Sequence, residues 1–198
     1  MGVPIEERDL IRQILSGDTD AYAEIVRANQ GKVMGLCLSL LRNPVEAEDA
    51  AQEIFIKAYQ SLNSFKGNSS LSTWLYRISS NHCKDLLRKK GRQKTESLDA
   101  LLEASGDGVQ RISEPSFNPA ATAEASDIVE RLLAALSPEE RLILTLREAQ
   151  GLSYQEIAQT LQCTLDAVKA RLRRARQAAG EKFDTFRLSK TSKLQEKR

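Results

Sequence analysis

Five cations crowd one short stretch of this chain: Lys169, Arg171, Arg173, Arg174 and Arg176. An apolar row, Val168, Leu172, Ala175 and Ala179, runs between them at helical spacing and reads as core. At about 100° per residue, the opposite face carries Asp166, Ala170, Arg173, Arg174 and Gln177, flanked by Lys169, Arg171 and Arg176. That combination suits a major groove. Ala170 permits close approach, and arginine can donate two bonds to a guanine edge. The flanking cations are better placed for phosphates. A solvated basic face is the plainer alternative, but the residues just upstream oppose it. Ser153 and Glu156 form a capping box, Gln162, Cys163 and Thr164 read as a tight turn, and Thr164 can cap the basic helix. Gly151 to Arg176 therefore reads as a helix-turn-helix.

A second constellation has a different chemistry. Trp74, Arg77, Asn81, Lys84 and Arg88 are spaced 3, 4, 3 and 4, along one helical ridge. An aromatic ring in line with cations and an amide suits single-stranded nucleic acid: bases stack or bond, and phosphates meet the cations. The alternative is that Trp74 is core and the cations are solvated, and spacing alone does not separate the two. A third face, Asp49, Gln52, Glu53 and Ile56, is a polar ridge with one aliphatic anchor. It suits either solvent or a protein partner.

Catalytic chemistry finds no support. There is no Walker loop, GxGxxG, HExxH or clustered Asp/Glu/His set. The single histidine, His82, lies on the apolar stripe Leu71, Leu75, Ile78, His82 and Leu86 and reads as packed core; Cys83 completes no ligand set. The carboxylate pairs Asp18/Asp20 and Glu139/Glu140 sit at helix starts, where the dipole accounts for them. No catalytic residue, metal or cofactor is expected. The three cysteines, Cys37, Cys83 and Cys163, are scattered, which favours a reducing cytoplasm. The amino terminus is charged from the sixth residue, unlike a signal peptide, and no apolar run approaches the ~20 residues that span a bilayer.

The elements that must position these residues are all helical. Expected helices cover Glu6–Leu15, a segment after Asp18, Val33–Leu41 beyond Asn29 and Gly31, Glu46–Leu62 behind an Asn43/Glu46 cap, and Leu71–Lys89 after a loop at 63–70. Ser137-Pro138-Glu139-Glu140 is a strong helix start, and Phe183 and Phe186 are candidates to close the final unit. Net charge is only +2, yet charge is segregated. Lys84–Lys94 holds six basic residues and one acidic, Glu96–Asp127 seven acidic and one basic, and Asp166–Lys182 six basic and two acidic. Two basic patches separated by an acidic connector suggest two nucleic-acid-facing units. The stretch 95–123, low in apolar residues, reads as a linker or partly disordered segment. The expected architecture is all-α: two small helical domains, 1–93 and 127–186, a flexible acidic linker at 94–126, and a frayed basic tail at 187–198.

Four segments, in this order, strongly resemble bacterial sigma factors of the extracytoplasmic-function group: AEDAAQEIFIKAYQSLNSFKG (47–67), STWLYRISSNHCKDLLRKKGR (72–92), LSPEERLILTLREAQGLSYQEIAQTLQC (136–163) and VKARLRRAR (168–176). The resemblance implies that residues up to about Arg92 form sigma domain 2 and that Asp127–Phe186 form sigma domain 4. It implies core RNA polymerase and promoter DNA as partners, and control by an anti-sigma factor. Asp49, Gln52, Glu53 and Ile56 would dock on the clamp helices of the largest catalytic subunit, and domain 4 would meet the flap of the second-largest. The loop Phe65, Lys66, Gly67, Asn68 and Ser69, with Asn81 beside it, would capture a flipped base of the −10 element. Trp74, Arg77, Lys84 and Arg88 would hold the melted strand. Lys169, Ala170, Arg171, Arg173, Arg174, Arg176 and Gln177 would read the −35 element as duplex. The linker would thread toward the polymerase active site and RNA-exit channel. One stretch departs from the family pattern: Thr164-Leu165-Asp166-Ala167 stands where relatives often carry Pro and a Gly-Thr or Gly-Ser pair.

Two rivals remain from the residues alone. An autonomous helix-turn-helix regulator would bind symmetric half-sites as a dimer, but no dimerisation or sensor domain is evident. A nuclease or recombinase would need the missing metal-binding cluster.

Overall fold

The computed structural model describes residues 5–104, 129 and 131–195, with side chains for 7–92, 129 and 131–185. Among them there is no strand. The helices are α1 (Ile5–Leu15), α2 (Thr19–Leu41), α3 (Pro44–Ser61), α4 (Leu71–Ala104), α5 (131–135), α6 (Pro138–Leu144), α7 (Tyr154–Leu161) and α8 (Leu165–Gln195). A 3₁₀ turn at Leu62–Ser64 follows α3, and a π-helical turn at Thr145–Ala149 follows α6.

Local chemistry sets most of these boundaries. The Asp18 carboxylate accepts from the Asp20 and Ala21 amides at 3.0 and 3.1 Å and starts α2. Arg42, at φ 55°, ends α2 in the left-handed region. Asn43 then caps α3, accepting from the Val45 and Glu46 amides at 3.0 and 3.3 Å. The Glu46 carboxylate accepts at 2.6 Å from Lys90, tying α3 to α4. Reciprocal capping boxes start α6 at Ser137/Glu140 and α7 at Ser153/Glu156, as their sequences require.

Three elements run further than expected. The chain does not break at Asn29 and Gly31. Asn29 Nδ2 donates to the Ile25 carbonyl at 2.8 Å and its Oδ1 accepts from Ser72 at 3.3 Å, so a polar side chain is satisfied inside a continuous α2. Helix α4 continues to Ala104, so residues 94–104 of the expected linker are helical; residues 105–126 lie outside those described. Helix α8 continues through most of the expected tail, to Gln195. Phe183 does not close the last unit, being 44% exposed, and the Phe186 side chain lies outside those described.

The two helical units are present and pack directly together. One apolar cluster joins Leu36, Leu40 and Cys37 of α2, Ala47 and Ile54 of α3, and Tyr76 and Cys83 of α4 to Leu142, Ile143, Leu146, Ile157, Val168 and Leu172. A smaller cluster holds Ile11 and Ile14 of α1 with Ile25, Leu62, Leu71, Trp74 and Leu75. A polar seam runs beside the shared core. Arg141 is buried and donates to the carbonyls of Leu40 (3.0 Å), Ser39 (3.3 Å) and Leu136 (2.9 Å). Burial, with the nearby charge of Arg42, lowers its pKa to about 10.

Candidate nucleic-acid interface

The basic helix is aimed by its turn. Gln162, at φ 51°, ends α7, and the Cys163 amide returns to the Ala158 carbonyl at 3.0 Å. The Thr164 hydroxyl accepts from the Ala167 amide at 3.2 Å and starts α8. Val168, Leu172 and Ala175 are fully buried, against Ile157 and Leu146. That burial turns Lys169, Ala170, Arg171, Arg173, Arg174, Arg176 and Gln177 outward, and all seven are exposed. Ala179 is only half-buried, so the apolar row fades there.

The outward cations are not equivalent. Arg176 is engaged with Glu148, at 2.7 and 3.2 Å. Lys169 pairs with Asp166 at 3.1 Å, which offsets the one acid at the start of the outward basic face. Gln177 donates to Glu181 at 3.0 Å. Arg171, Arg173 and Arg174 are exposed and make no ion pair with the described residues. Arg174 does lie in the field of Glu140, whose carboxyl is held low chiefly by the Ser137 hydrogen bonds.

The second constellation is not a continuous exposed ridge. Trp74 is only 5% exposed and belongs to the smaller core cluster, tilted against Phe65 at 5.2 Å between ring centroids. Of the two readings left open by spacing, the packed one describes the indole, which shares its cluster with Ile11 and Ile14 of α1, Ala21 and Ile25 of α2, Ala58 of α3 and Leu62. Arg77 and Lys84 are half-buried, whereas Asn81 and Arg88 are exposed, Arg88 paired with Asp85 at 3.0 Å. Burial holds the Lys84 amine low; nearby Glu139 opposes this, and the charges of Arg171 and Arg88 reinforce it.

The loop before α4 is shaped by Gly67, at φ 70°, and by Ser70, whose hydroxyl accepts from the Thr73 amide at 3.2 Å. Lys66 and Asn68 are exposed, and Phe65, Gly67 and Ser69 half-buried. Asn68, Ser69, Trp74 and Arg77 converge on one cleft of about 300 Å³. Its other lining residues, Thr73, Gln159 and Gln162, were missed by sequence reasoning. The two glutamines come from α7 and its C-cap, so no spacing within α4 could reveal them.

The third face is on the surface as expected. Asp49, Gln52, Glu53 and Ile56 are all exposed, Ile56 at 57%. Behind it, His82 is buried, with Nδ1 2.6 Å from Lys57 Nζ and Nε2 3.5 Å from the Glu53 carboxylate. Burial and the Lys57 charge lower the His82 pKa, partly offset by Glu53 and Asp85. Among the described residues no group of His, Cys, Asp and Glu could hold a metal ion.

This arrangement has clear relatives. The family model for sigma-70 region 2 matches residues 25–93, and that for sigma-70, region 4 matches residues 126–178. The chain is 36% identical over 176 residues to the RNA polymerase sigma-H factor of Pseudomonas aeruginosa, covering 87% of this chain and 91% of the relative. It is 37% identical over 186 residues to the ECF RNA polymerase sigma-E factor of Escherichia coli, covering 92% and 96%. Among solved structures, it resembles the sigma factor RpoE of Bartonella quintana, in complex with the anti-sigma factor NepR. The TM-score is 0.64 and the identity 25%, over 82% of this chain and 96% of that one. The fold also matches CnrH, in complex with the cytosolic domain of CnrY, at a TM-score of 0.66 and 24% identity, over 90% and 97%. On the family matches and the near-complete alignment to curated relatives, the chain belongs to the sigma-70 family of RNA polymerase sigma factors, in its extracytoplasmic-function group.

Proposed function

We propose that this sigma factor, working with core RNA polymerase, reads a −35 duplex with the exposed face of α8 and captures a −10 base in the cleft beneath the loop 65–69. One observation carries most weight: seven residues of α8 face outward, three of them arginines (Arg171, Arg173 and Arg174) with no ion pair to the described residues, while Val168, Leu172 and Ala175 on the opposite side are buried. Arg173 and Arg174 supply base readout; Lys169, Arg171 and Arg176 meet phosphates; Ala170 permits approach and Gln177 bonds at the groove edge. Asn68, Ser69 and Arg77 supply polar contacts to an extruded base, with Trp74 as an apolar wall of the cleft rather than a free stacking platform. Asn81, Lys84 and Arg88 follow the strand backbone. Residues 1–93 act as domain 2 and residues 127–186 as domain 4.

Asp49, Gln52, Glu53 and Ile56 form the docking face for the polymerase clamp, a polar ridge around one aliphatic anchor. Domain 4 docks on the flap. The chain acts in the cytoplasm as a non-catalytic subunit, and no described helix is long and apolar enough to cross a membrane. The RpoE–NepR likeness supports control by an anti-sigma partner.

Transcription by purified core polymerase on a genomic library, with and without this chain, tests the proposal. Promoter-specific starts that require the chain are expected. Failure to bind core or to redirect initiation rules it out.

A further inference from the structure

An acid stands at the start of the outward basic face. Asp166 and Ala175 are nine residues apart, about two and a half turns, so Asp166 lies on the side of α8 opposite the buried stripe. Its side chain is 91% exposed. Asp166, Lys169, Ala170 and Arg173 fall at i, i+3, i+4 and i+7 and form one ridge. The helix does not need this acid as its cap, because the Thr164 hydroxyl already accepts from the Ala167 amide at 3.2 Å. Among the described residues, the bond to the Asp166 carboxylate comes from Lys169 Nζ, at 3.1 Å. An exposed pair of this kind adds little stability, so a ligand can share it at small cost.

A carboxylate on such a face has one favourable use. Ionised, it only accepts hydrogen bonds. It repels phosphates, and it repels the N7, O6 and O4 acceptors that guanine and thymine present in the major groove. The donors there are the exocyclic amines of cytosine and adenine. Adenine sets its N7 acceptor beside the amine, whereas cytosine presents the amine alone, so cytosine is the better partner. Lys169 makes the acid tolerable next to DNA. Its ammonium has three N–H donors: one holds Asp166, and the others are left for a phosphate oxygen. Ala170, on the same ridge, adds no bulk that would hold the helix away from the bases.

Resting on the −35 reading above, we propose that Asp166 is a specificity-determining residue: its carboxylate accepts from the N4 amine of a cytosine in the −35 duplex, with Lys169 bridging the acid to the DNA backbone. Asp166 and Arg173 are about 10 Å apart along the helix axis, or about three base-pair steps. The cytosine therefore lies within about three base pairs of the base that Arg173 reads. The stretch 164–167, where this chain departs from the family pattern, thereby gives it a base preference of its own.

Transcription by core polymerase with the full chain, on a promoter library randomised across the −35 element, tests this. Wild type should favour cytosine at one position by at least about fivefold over guanine and thymine. Asp166→Ala should lose that preference and keep those at other positions. Asp166→Asn keeps the shape but adds a donor, so it should turn the preference toward adenine, whose N6 and N7 an amide can bond together. An acid with a merely structural role would produce neither change. Lys169→Gln should lower activity on every −35 sequence alike and leave the cytosine preference in place. The same base profile in wild type and both Asp166 variants overturns the inference. So does a cytosine preference that is lost with Lys169 and survives without Asp166. A wild-type profile that is flat at every −35 position would instead remove the −35 reading on which the inference rests.

Discussion

Trp74→Ala separates a packed residue from a projecting one. The indole is 5% exposed and belongs to the buried cluster of Ile11, Ile14, Ile25, Leu71 and Leu75, with the Phe65 ring at 5.2 Å. Truncating a buried tryptophan costs about 3–5 kcal/mol, because a cavity replaces most of its contacts. The Phe65 pair accounts for about 0.5–1.5 kcal/mol of that loss. In a chain of 198 residues each kcal/mol moves the midpoint by about 2–4 °C, so a loss near 4 kcal/mol lowers Tm by about 8–16 °C. Trp74→Phe, which keeps most of the apolar volume, should cost less than half as much. The assay is thermal unfolding by circular dichroism, run beside promoter opening well below the mutant midpoint. A Tm shift below about 2 °C together with a selective loss of opening would refute the packing account and restore a projecting ring.

Three further outcomes follow from other parts of the molecule. Arg174→Ala should weaken −35 recognition by about 1–3 kcal/mol if the guanidinium bonds a guanine bidentately; an unchanged preference in promoter-variant transcription counts against that contact. The His82 pKa is lowered, so the native state resists a proton that the unfolded chain accepts. Stability gained from this site is therefore present above the unfolded pKa of about 6.5 and declines as pH falls below it. Urea unfolding at pH 7.5 and 5.0 should show the decline, and His82→Gln should reduce it; equal slopes in both proteins would exclude the site. Cys37 and Cys83 are fully buried with sulfurs 3.7 Å apart, while Cys163 is half-exposed. Iodoacetamide should label Cys163 in the native chain and the other two only after unfolding, as read by mass spectrometry.

Legibility in the sequence tracked how local each determinant is. The Ser137/Glu140 and Ser153/Glu156 boxes, the Asp18 and Asn43 caps and the Thr164 start each involve residues within three positions, and all stand where the sequence put them. The outward face of α8 was equally legible, because a 3.6-residue period separates it from Val168, Leu172 and Ala175. Asn29 was misjudged as part of a break because its partner, Ser72, is 43 positions away. The lengths of α4 and α8 were underestimated because polar sequence is compatible with helix as well as with linker or tail. Trp74 was ambiguous for a related reason. Periodicity says which residues share a face of α4, but only the packing of α1 and α2 says which face is covered.

The sequence by itself determined the all-helical fold, the helix-turn-helix and its outward residues, and the family, since these rest on short-range periodicity, capping and ordered motifs. Only the tertiary structure decided that the two units share a core. Arg141 reads in sequence as one more cation, yet it ends up capping α2 from about a hundred positions away. Gln162 reads in sequence only as part of the turn and nothing local marks Gln159, yet both line the cleft of the other unit. Both depend on contacts between distant segments, which no local spacing encodes.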